Sequence, residues 1–197
     1  MNSIFLRFLV VMAALNFSGA PVMAENPCSS LGQGKSAEKT DNVIAQFQAW
    51  SVFVETNPDE CFAVANPVNT TIEPATAQEN LCRGALGLTV SYWPEFGVTG
   101  QLFFRSGYEF APDAKVEFII DKQSFPLVTE AGGKVAWPSN SVEDRKLVYA
   151  MRQGSQVTII GKSAKGINVK DTFTLSGFVS AINLAAKTCL YMLAKLY

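Results

Sequence analysis

The run Gln156-Val157-Thr158-Ile159-Ile160-Gly161, followed by Lys162-Ser163-Ala164-Lys165-Gly166 and then by Ile167-Asn168-Val169-Lys170-Asp171-Thr172-Phe173-Thr174-Leu175, decides the fold of this chain. Two stretches rich in β-branched and aromatic residues flank a polar turn that ends in glycine, which predicts a β-hairpin. Directly after Ser176-Gly177 the apolar period changes. Phe178, Ala181, Ile182, Ala185, Cys189, Met192 and Leu196 recur at steps of three and four, the spacing of one helix face. Ser180, Asn183, Lys187 and Lys195 lie among them, and carrying these groups through hydrocarbon would cost several kcal/mol. The expected place for this helix is therefore on a sheet.

Upstream of the hairpin, short apolar runs alternate with turn residues. Ala49 to Glu55, Cys61 to Ala65, Ala85 to Trp93, Gly100 to Arg105, Lys115 to Asp121 and Phe125 to Thr129 are predicted strands. Asn57-Pro58-Asp59 and Ala111-Pro112-Asp113 supply turn chemistry between them. Val116, Phe118 and Ile120 alternate with more polar neighbours, as in a sheet with one face toward a core. One segment breaks the pattern: Ser141 with Asp144 three residues on starts like a capping box, Leu147, Val148 and Met151 form an apolar face, and Gly154 closes a short helix. No internal period indicates repeats. The expected fold is mainly β: an antiparallel β-sandwich with one short helix and a C-terminal amphipathic helix packed on it.

The N-terminus carries Arg7, an apolar run from Phe8 to Leu15 and Val22-Met23-Ala24 before Glu25. That is the layout of a cleavable export signal, with an apolar core shorter than the roughly 20 residues of an anchor helix. Residues 1–24 are the expected leader, 25–45 a loose arm of polar composition, and 46–197 a single folded domain. Glu25-Asn26-Pro27 before Cys28 is not the small, apolar context of a lipid-anchor cysteine. The exported protein is expected to be periplasmic, outer-membrane-associated or secreted, and not an integral membrane protein once the leader is removed. The 16 basic and 17 acidic residues of the full chain nearly balance, and no basic run exceeds Arg145-Lys146, so nucleic acid is not an expected partner.

The four cysteines, Cys28, Cys61, Cys82 and Cys189, are an even set in an oxidising compartment and predict two disulfides. They are too widely spaced for the paired ligand motifs of zinc sites. The chain has no histidine, which removes Ser-His-Asp and Cys-His nucleophile systems and histidine-bearing metal sites. Gly161-Lys162-Ser163 ends like a phosphate-binding loop, but Gln156 stands where that loop needs glycine, and a strand follows where it needs a helix. Asp59-Glu60 and Glu143-Asp144 are adjacent acids in a turn and in a first helical turn, whereas glycoside chemistry needs carboxylates facing each other across a cleft. There is no C-x-x-C redox motif. No catalytic residue, metal ligand or cofactor is expected. Among the many aromatics, Tyr92-Trp93-Pro94-Glu95-Phe96 places three beside a proline at a strand end, so Tyr92, Trp93 and Phe96 form the candidate binding surface.

Trp50, Cys61-Phe62-Ala63 with Pro67, Arg83-Gly84, Gly107-Tyr108 with Phe110, Phe125 with Leu127, Ala136-Trp137-Pro138, Leu147-Val148 with Ala150-Met151 and Gly154, then Gly161, Ser163, Gly166, Asp171-Thr172, Leu175-Ser176-Gly177-Phe178, Ala181 and Cys189 follow a recognisable order. In that order, from Phe47 to Cys189, the chain resembles the invasion-associated locus B family of bacterial exported proteins. The resemblance implies a periplasmic or outer-membrane-associated β-sandwich of a Gram-negative bacterium, linked in its namesake to host-cell invasion and virulence, with no established enzymatic activity. It implies structural roles for Trp50, Pro67, Arg83, Gly107, Trp137, Gly161, Asp171, Gly177 and Phe178, and it carries over no catalytic residue. It also implies the pairing of Cys61 with Cys189, which leaves Cys28 for Cys82. Val54 stands where some members have a further cysteine, and the tail Leu190 to Tyr197 is longer and more apolar than is usual in the family.

The function expected from these readings is non-enzymatic: binding of a protein or envelope component. A periplasmic enzyme using lysine or carboxylate chemistry is the alternative, and it predicts a pocket collecting residues such as Lys162, Asp171 or Glu109. An outer-membrane barrel ending at Tyr197 is a third reading, opposed by the helical period of the last segment.

Overall fold

The structure is a computed structural model that describes residues 42–56 and 59–194. The expected leader 1–24, the arm from 25 to 41, Cys28, the Asn57-Pro58 half of a turn and the tail from 195 to 197 lie outside the described residues. In chain order the elements are β1 (Val43–Phe47), β2 (Trp50–Glu55), β3 (Glu60–Ala65), β4 (Asn69–Glu73), β5 (Gly87–Trp93), β6 (Val98–Arg105), β7 (Val116–Ile120), β8 (Gln123–Thr129), β9 (Val135–Trp137), α1 (Ser141–Gln153), β10 (Gln156–Lys162), β11 (Asn168–Thr174) and α2 (Phe178–Ala194).

The strands join edge to edge in one antiparallel sheet of order β1-β2-β3-β5-β6-β9-β8-β7-β10-β11-β4. Where the sequence predicts a sandwich, the molecule achieves the layering by folding this single sheet over. Phe104 of β6 and Phe173 of β11 meet with ring centroids 6.1 Å apart. Trp50 of β2 donates its indole N–H to the carbonyl of Thr174 at the end of β11, at 3.0 Å. β1 and β4 each have one paired neighbour, so the sheet is open and is not a closed barrel. The hairpin register is unbroken from Gln156↔Thr174 to Lys162↔Asn168. Val157, Ile159, Val169 and Phe173 are buried and alternate with exposed or half-buried neighbours, as the two-residue period of a strand requires.

Two departures from expectation concern the edge strands. β1, Val-Ile-Ala-Gln-Phe, draws Val43 to Ala45 into the fold, although the expected arm extends to residue 45. Its odd positions are half-buried and its even ones exposed, as expected of an edge strand. β4 is Asn-Thr-Thr-Ile-Glu, pairs only with β11, and carries too few hydrophobic residues to announce itself.

α1 begins one residue earlier than the capping-box reading places it. Asn140, not Ser141, is the cap, and its side chain accepts the N–H groups of Val142 and Glu143. Asp144 turns inward instead of capping: its carboxylate accepts the Leu102 N–H at 2.9 Å and ties the helix to β6, and burial foremost holds its pKa up. Leu147 and Met151 are buried as the apolar face predicts.

α2 packs through Phe178, Ala181, Ile182, Ala185 and Cys189, all buried, against β2, β3 and β5. Its start is held by Gly177, whose φ of +91° lies in the left-handed region and whose position leaves no room for a side chain: a Cβ would stand 1.9 Å from the Phe47 carbonyl oxygen. Gly177→Ala is therefore expected to destabilise the domain by about 3 kcal/mol. Thermal unfolding followed by circular dichroism checks this, with Gly132→Ala, a site of equally positive φ but no close neighbour, separating backbone strain from the clash.

Candidate functional site

The residues whose order carries the family resemblance gather into two buried clusters. The first is polar. Arg83, only 5% exposed, donates Nη1 to Asp171 Oδ1 at 2.8 Å and Nη2 to Oδ2 at 2.7 Å, while its Nε and Nη2 both reach the Ser106 carbonyl. Thr70 adds its hydroxyl to Asp171 Oδ1 at 2.6 Å, and the Arg83 guanidinium lies 5.3 Å from the centroid of the Tyr108 ring. Both carboxylate oxygens and both guanidinium faces are thus in use, the arrangement a buried charge pair needs to offset desolvation. Burial, with Asp171 adding to it, drives the Tyr108 phenol pKa far up, so the ring stays neutral beside the pair. Two glycines make the cluster possible. Gly107, at φ +75°, passes so close to Gly84 that a Cβ would stand 3.0 Å from its carbonyl oxygen, and a Cβ on Gly161 would stand 2.7 Å from the Tyr108 hydroxyl.

The second cluster joins α2 to the sheet: the Trp50 and Phe178 rings meet at 4.8 Å, tilted 58° to each other, and Gly177 sets the helix start against Phe47. Of the remaining motif positions, Trp137 belongs to the short strand β9 that links β6 to β8, and Pro67 lies between β3 and β4. Of the residues of the enzyme reading, Glu109 and Lys162 lie on neighbouring segments, the Ala164 N–H donating to the Glu109 carbonyl and the Ala111 N–H to the Lys162 carbonyl. Asp171 is saturated by Arg83; Glu109 is exposed and faces Lys134 at 3.7 Å; Lys162 is exposed at the end of β10. Among the described residues no three His, Cys, Asp or Glu side chains gather where they could hold a metal ion.

The disulfide Cys61–Cys189 clamps the far end of α2 to the start of β3, spanning 128 residues with a Cα separation of 5.7 Å. Cys189 Sγ lies 3.4 Å from the Tyr92 carbonyl oxygen, and Cys61 Sγ lies 3.9 Å from the sulfur of Met192. Cys82 is disulfide-bonded as well; Cys28, the other half of the second expected pair, is outside the described residues.

At this clamped end the three aromatics of the candidate surface part company. Adjacent strand residues point to opposite faces. Trp93 shares the outer face of the sheet with Ser91, Phe62 and Phe53, the last two stacked at 5.0 Å. A 3₁₀ turn at Pro94–Phe96, closed by Gly97 at φ +67° with its N–H on the Pro94 carbonyl, returns Phe96 edge-on to Trp93 at 6.2 Å. Phe96 is 66% exposed, and the Trp93 indole N–H and the Ser91 hydroxyl are buried without a hydrogen-bond partner. Leu190 and Tyr191 of α2 are exposed too, at the same end as the disulfide.

Tyr92 faces inward, into a groove beside α1 where burial raises its phenol pKa against a smaller lowering by Arg152. The groove also holds Arg145, a residue no motif singled out; its signal in the sequence was the seven-residue step to Arg152, two helical turns along one face.

With this geometry in view, the chain is similar to a solved structure, that of invasion associated protein B from Bartonella henselae, at a TM-score of 0.52 and 16% identity over 73% of this chain and 96% of that one. The two proteins share a fold. No protein-family model matches the sequence, and no curated protein sequence matches it. The likeness to invasion associated protein B thus rests on architecture. Among the described residues no helix is long and apolar enough to cross a membrane.

Proposed function

We propose that this chain is an exported, disulfide-locked, non-enzymatic module of a bacterial envelope that acts by binding a protein partner through the outer surface around Trp93 and Phe96. The observation that carries this reading is the largely exposed Phe96, packed edge-on against Trp93 at 6.2 Å at the end of the sheet that the disulfide ties to α2. Large aromatics on a pre-organised edge are the kind of anchor that dominates protein interfaces. Export is supported by the disulfide-bonded cysteines, which need an oxidising compartment, and by the leader pattern of residues 1–24. Invasion is a phenotype; partner binding is the molecular event such a fold would contribute to it. The enzyme alternative has less support, since Asp171 is wholly engaged by Arg83 and Thr70 and Glu109 faces Lys134.

The test is capture from the native envelope with the exported protein as bait. The double variant Trp93→Ala/Phe96→Ala is expected to weaken binding of the wild-type partner by about 30-fold, the ratio for a hot spot of about 2 kcal/mol. Its cooperative unfolding should persist. Undiminished capture by this variant would remove the surface from the account.

A further inference from the structure

Between α1 and the β5–β6 pair lies a groove of about 210 Å³ lined by Tyr92, Thr99, Gly100, Arg145, Tyr149 and Arg152, with Val148 at its floor. Its chemistry differs from the rest of the surface. Two guanidinium groups two turns apart on one helix line a small concavity, and neither forms an ion pair among the described residues. Of the acids nearest in sequence, Glu143 pairs with Lys146 at 2.7 Å, and Asp144 is buried on the Leu102 N–H, where it feels the charge of Arg145 without forming an ion pair with it. This is not for want of acids, which outnumber bases in the chain. Arg152 is held from the side, donating Nη1 to Asn183 Oδ1 of α2 at 3.0 Å, which fixes its guanidinium and leaves its other donors unused.

The opposite wall is built to admit a ligand close to the backbone. The β5–β6 register slips at Ser91/Tyr92, so Thr99 pairs with Tyr92 while Gly100 bulges at φ +85°. Tyr92 is half-buried with its hydroxyl 3.7 Å from where a Gly100 Cβ would be, and that hydroxyl makes no hydrogen bond among the described residues. Because burial keeps the phenol protonated, it remains a donor. Two guanidiniums, a phenol O–H and a threonine O–H therefore line one concavity with no carboxylate among the lining side chains, and the flat ring of Tyr149 lines it too.

We propose that this groove is a binding site for the phosphate group of a small monoester, held by Arg145 and Arg152 with Tyr92 and Thr99 as further donors, the organic part lying against Tyr149 and Val148. Arginine forks match phosphate oxygens in pairs, and the volume suits one phosphate with a single ring or short chain. The site lies on the inner side of β5, whereas the proposed protein-binding surface lies on the outer side, so it adds a ligand to that reading without depending on it.

Phenyl phosphate and inorganic phosphate are the probes, titrated into the disulfide-intact protein at constant ionic strength with chloride as the balancing anion and followed by amide shifts in two-dimensional NMR. Saturable shifts are expected at Gly100, Arg145 and Arg152, with phenyl phosphate binding more tightly than phosphate. Arg145→Gln and the double variant Arg145→Gln/Arg152→Gln should weaken phenyl phosphate binding by about tenfold and beyond measurement, respectively, while Arg105→Gln, on an exposed site of β6, leaves it unchanged. Vesicles containing phosphatidic acid, which displays a phosphate monoester, locate the source: arginine-dependent vesicle binding assigns the phosphate to lipid, and its absence beside phenyl phosphate binding assigns it to a free small molecule. Arg145→Gln preserves the Arg152–Asn183 bond and so remains informative if the double variant unfolds. Shifts that never saturate, or phenyl phosphate binding equal in wild type and Arg145→Gln, would overturn the proposal.

Discussion

Asp171→Asn is expected to lower the unfolding free energy by about 3–5 kcal/mol, because it removes the charge from one partner of a buried pair and leaves the other in place. Arg83 would keep its two contacts with the Ser106 carbonyl but would face a neutral amide at positions where two carboxylate oxygens now accept its protons at 2.7–2.8 Å. At the size of this domain such a loss corresponds to a Tm fall of about 10 °C or more. Replacing both partners with apolar residues, Arg83→Met with Asp171→Leu, should recover most of the loss, since burying a matched pair contributes far less net stability than breaking it costs. Urea unfolding of the wild type, the single and the double variant checks this. A single-variant loss below about 1 kcal/mol would show that the cluster is not the structural centre that its hydrogen bonds describe.

The second large effect concerns the clamp. The double variant Cys61→Ser/Cys189→Ser releases a loop of 128 residues, and in the chain-entropy model closing a loop of that length is worth about 5 kcal/mol. The loss should begin locally. Without the bond, the C-terminal half of α2 keeps Ala185 as its main buried apolar residue, so amide exchange should rise there first, followed by β3 near position 61 and β5 near Tyr92. Uniform exchange across α2, with no gradient toward its C-terminal end, would mean that packing alone holds the helix.

Much of this architecture was legible in the residues, for physical reasons that differ from element to element. The hairpin from Gln156 and the helix from Phe178 announced themselves because one face of each is buried along its whole length, so their periods of two and of three to four are complete. β1, β4 and β9 were silent. β1 and β4 are edges with one side free, and β9 has three residues, too few for any period to show. That the sandwich is one folded sheet depends on β8 pairing with both β7 and β9, a tertiary choice with no local signature.

The site was legible to a smaller extent. Arg83 and Asp171 stand 88 residues apart, and no spacing rule connects them; only their places in the family order pointed to a structural role, and the bidentate pair explains it. Tyr92, Trp93 and Phe96 were grouped by proximity in sequence, but strand alternation sends Tyr92 inward to the arginine groove and Trp93 outward. Nothing local to Arg145 and Arg152 marks the groove, because its opposite wall, Tyr92 and Gly100, is set by the β5–β6 bulge.

The central claim is that the clustered motif residues hold the scaffold while the outer aromatic edge makes the contact. The most direct measurement places a photocrosslinking amino acid at Phe96 in the exported protein, irradiates intact cells of the native host, and compares it with the same probe at Val142 and at Ile44, exposed apolar positions on α1 and β1. The account predicts one discrete protein adduct from position 96, lost when Trp93→Ala is added, and none from the other two. Equal adducts from all three positions, or an adduct from Val142 alone, would contradict it.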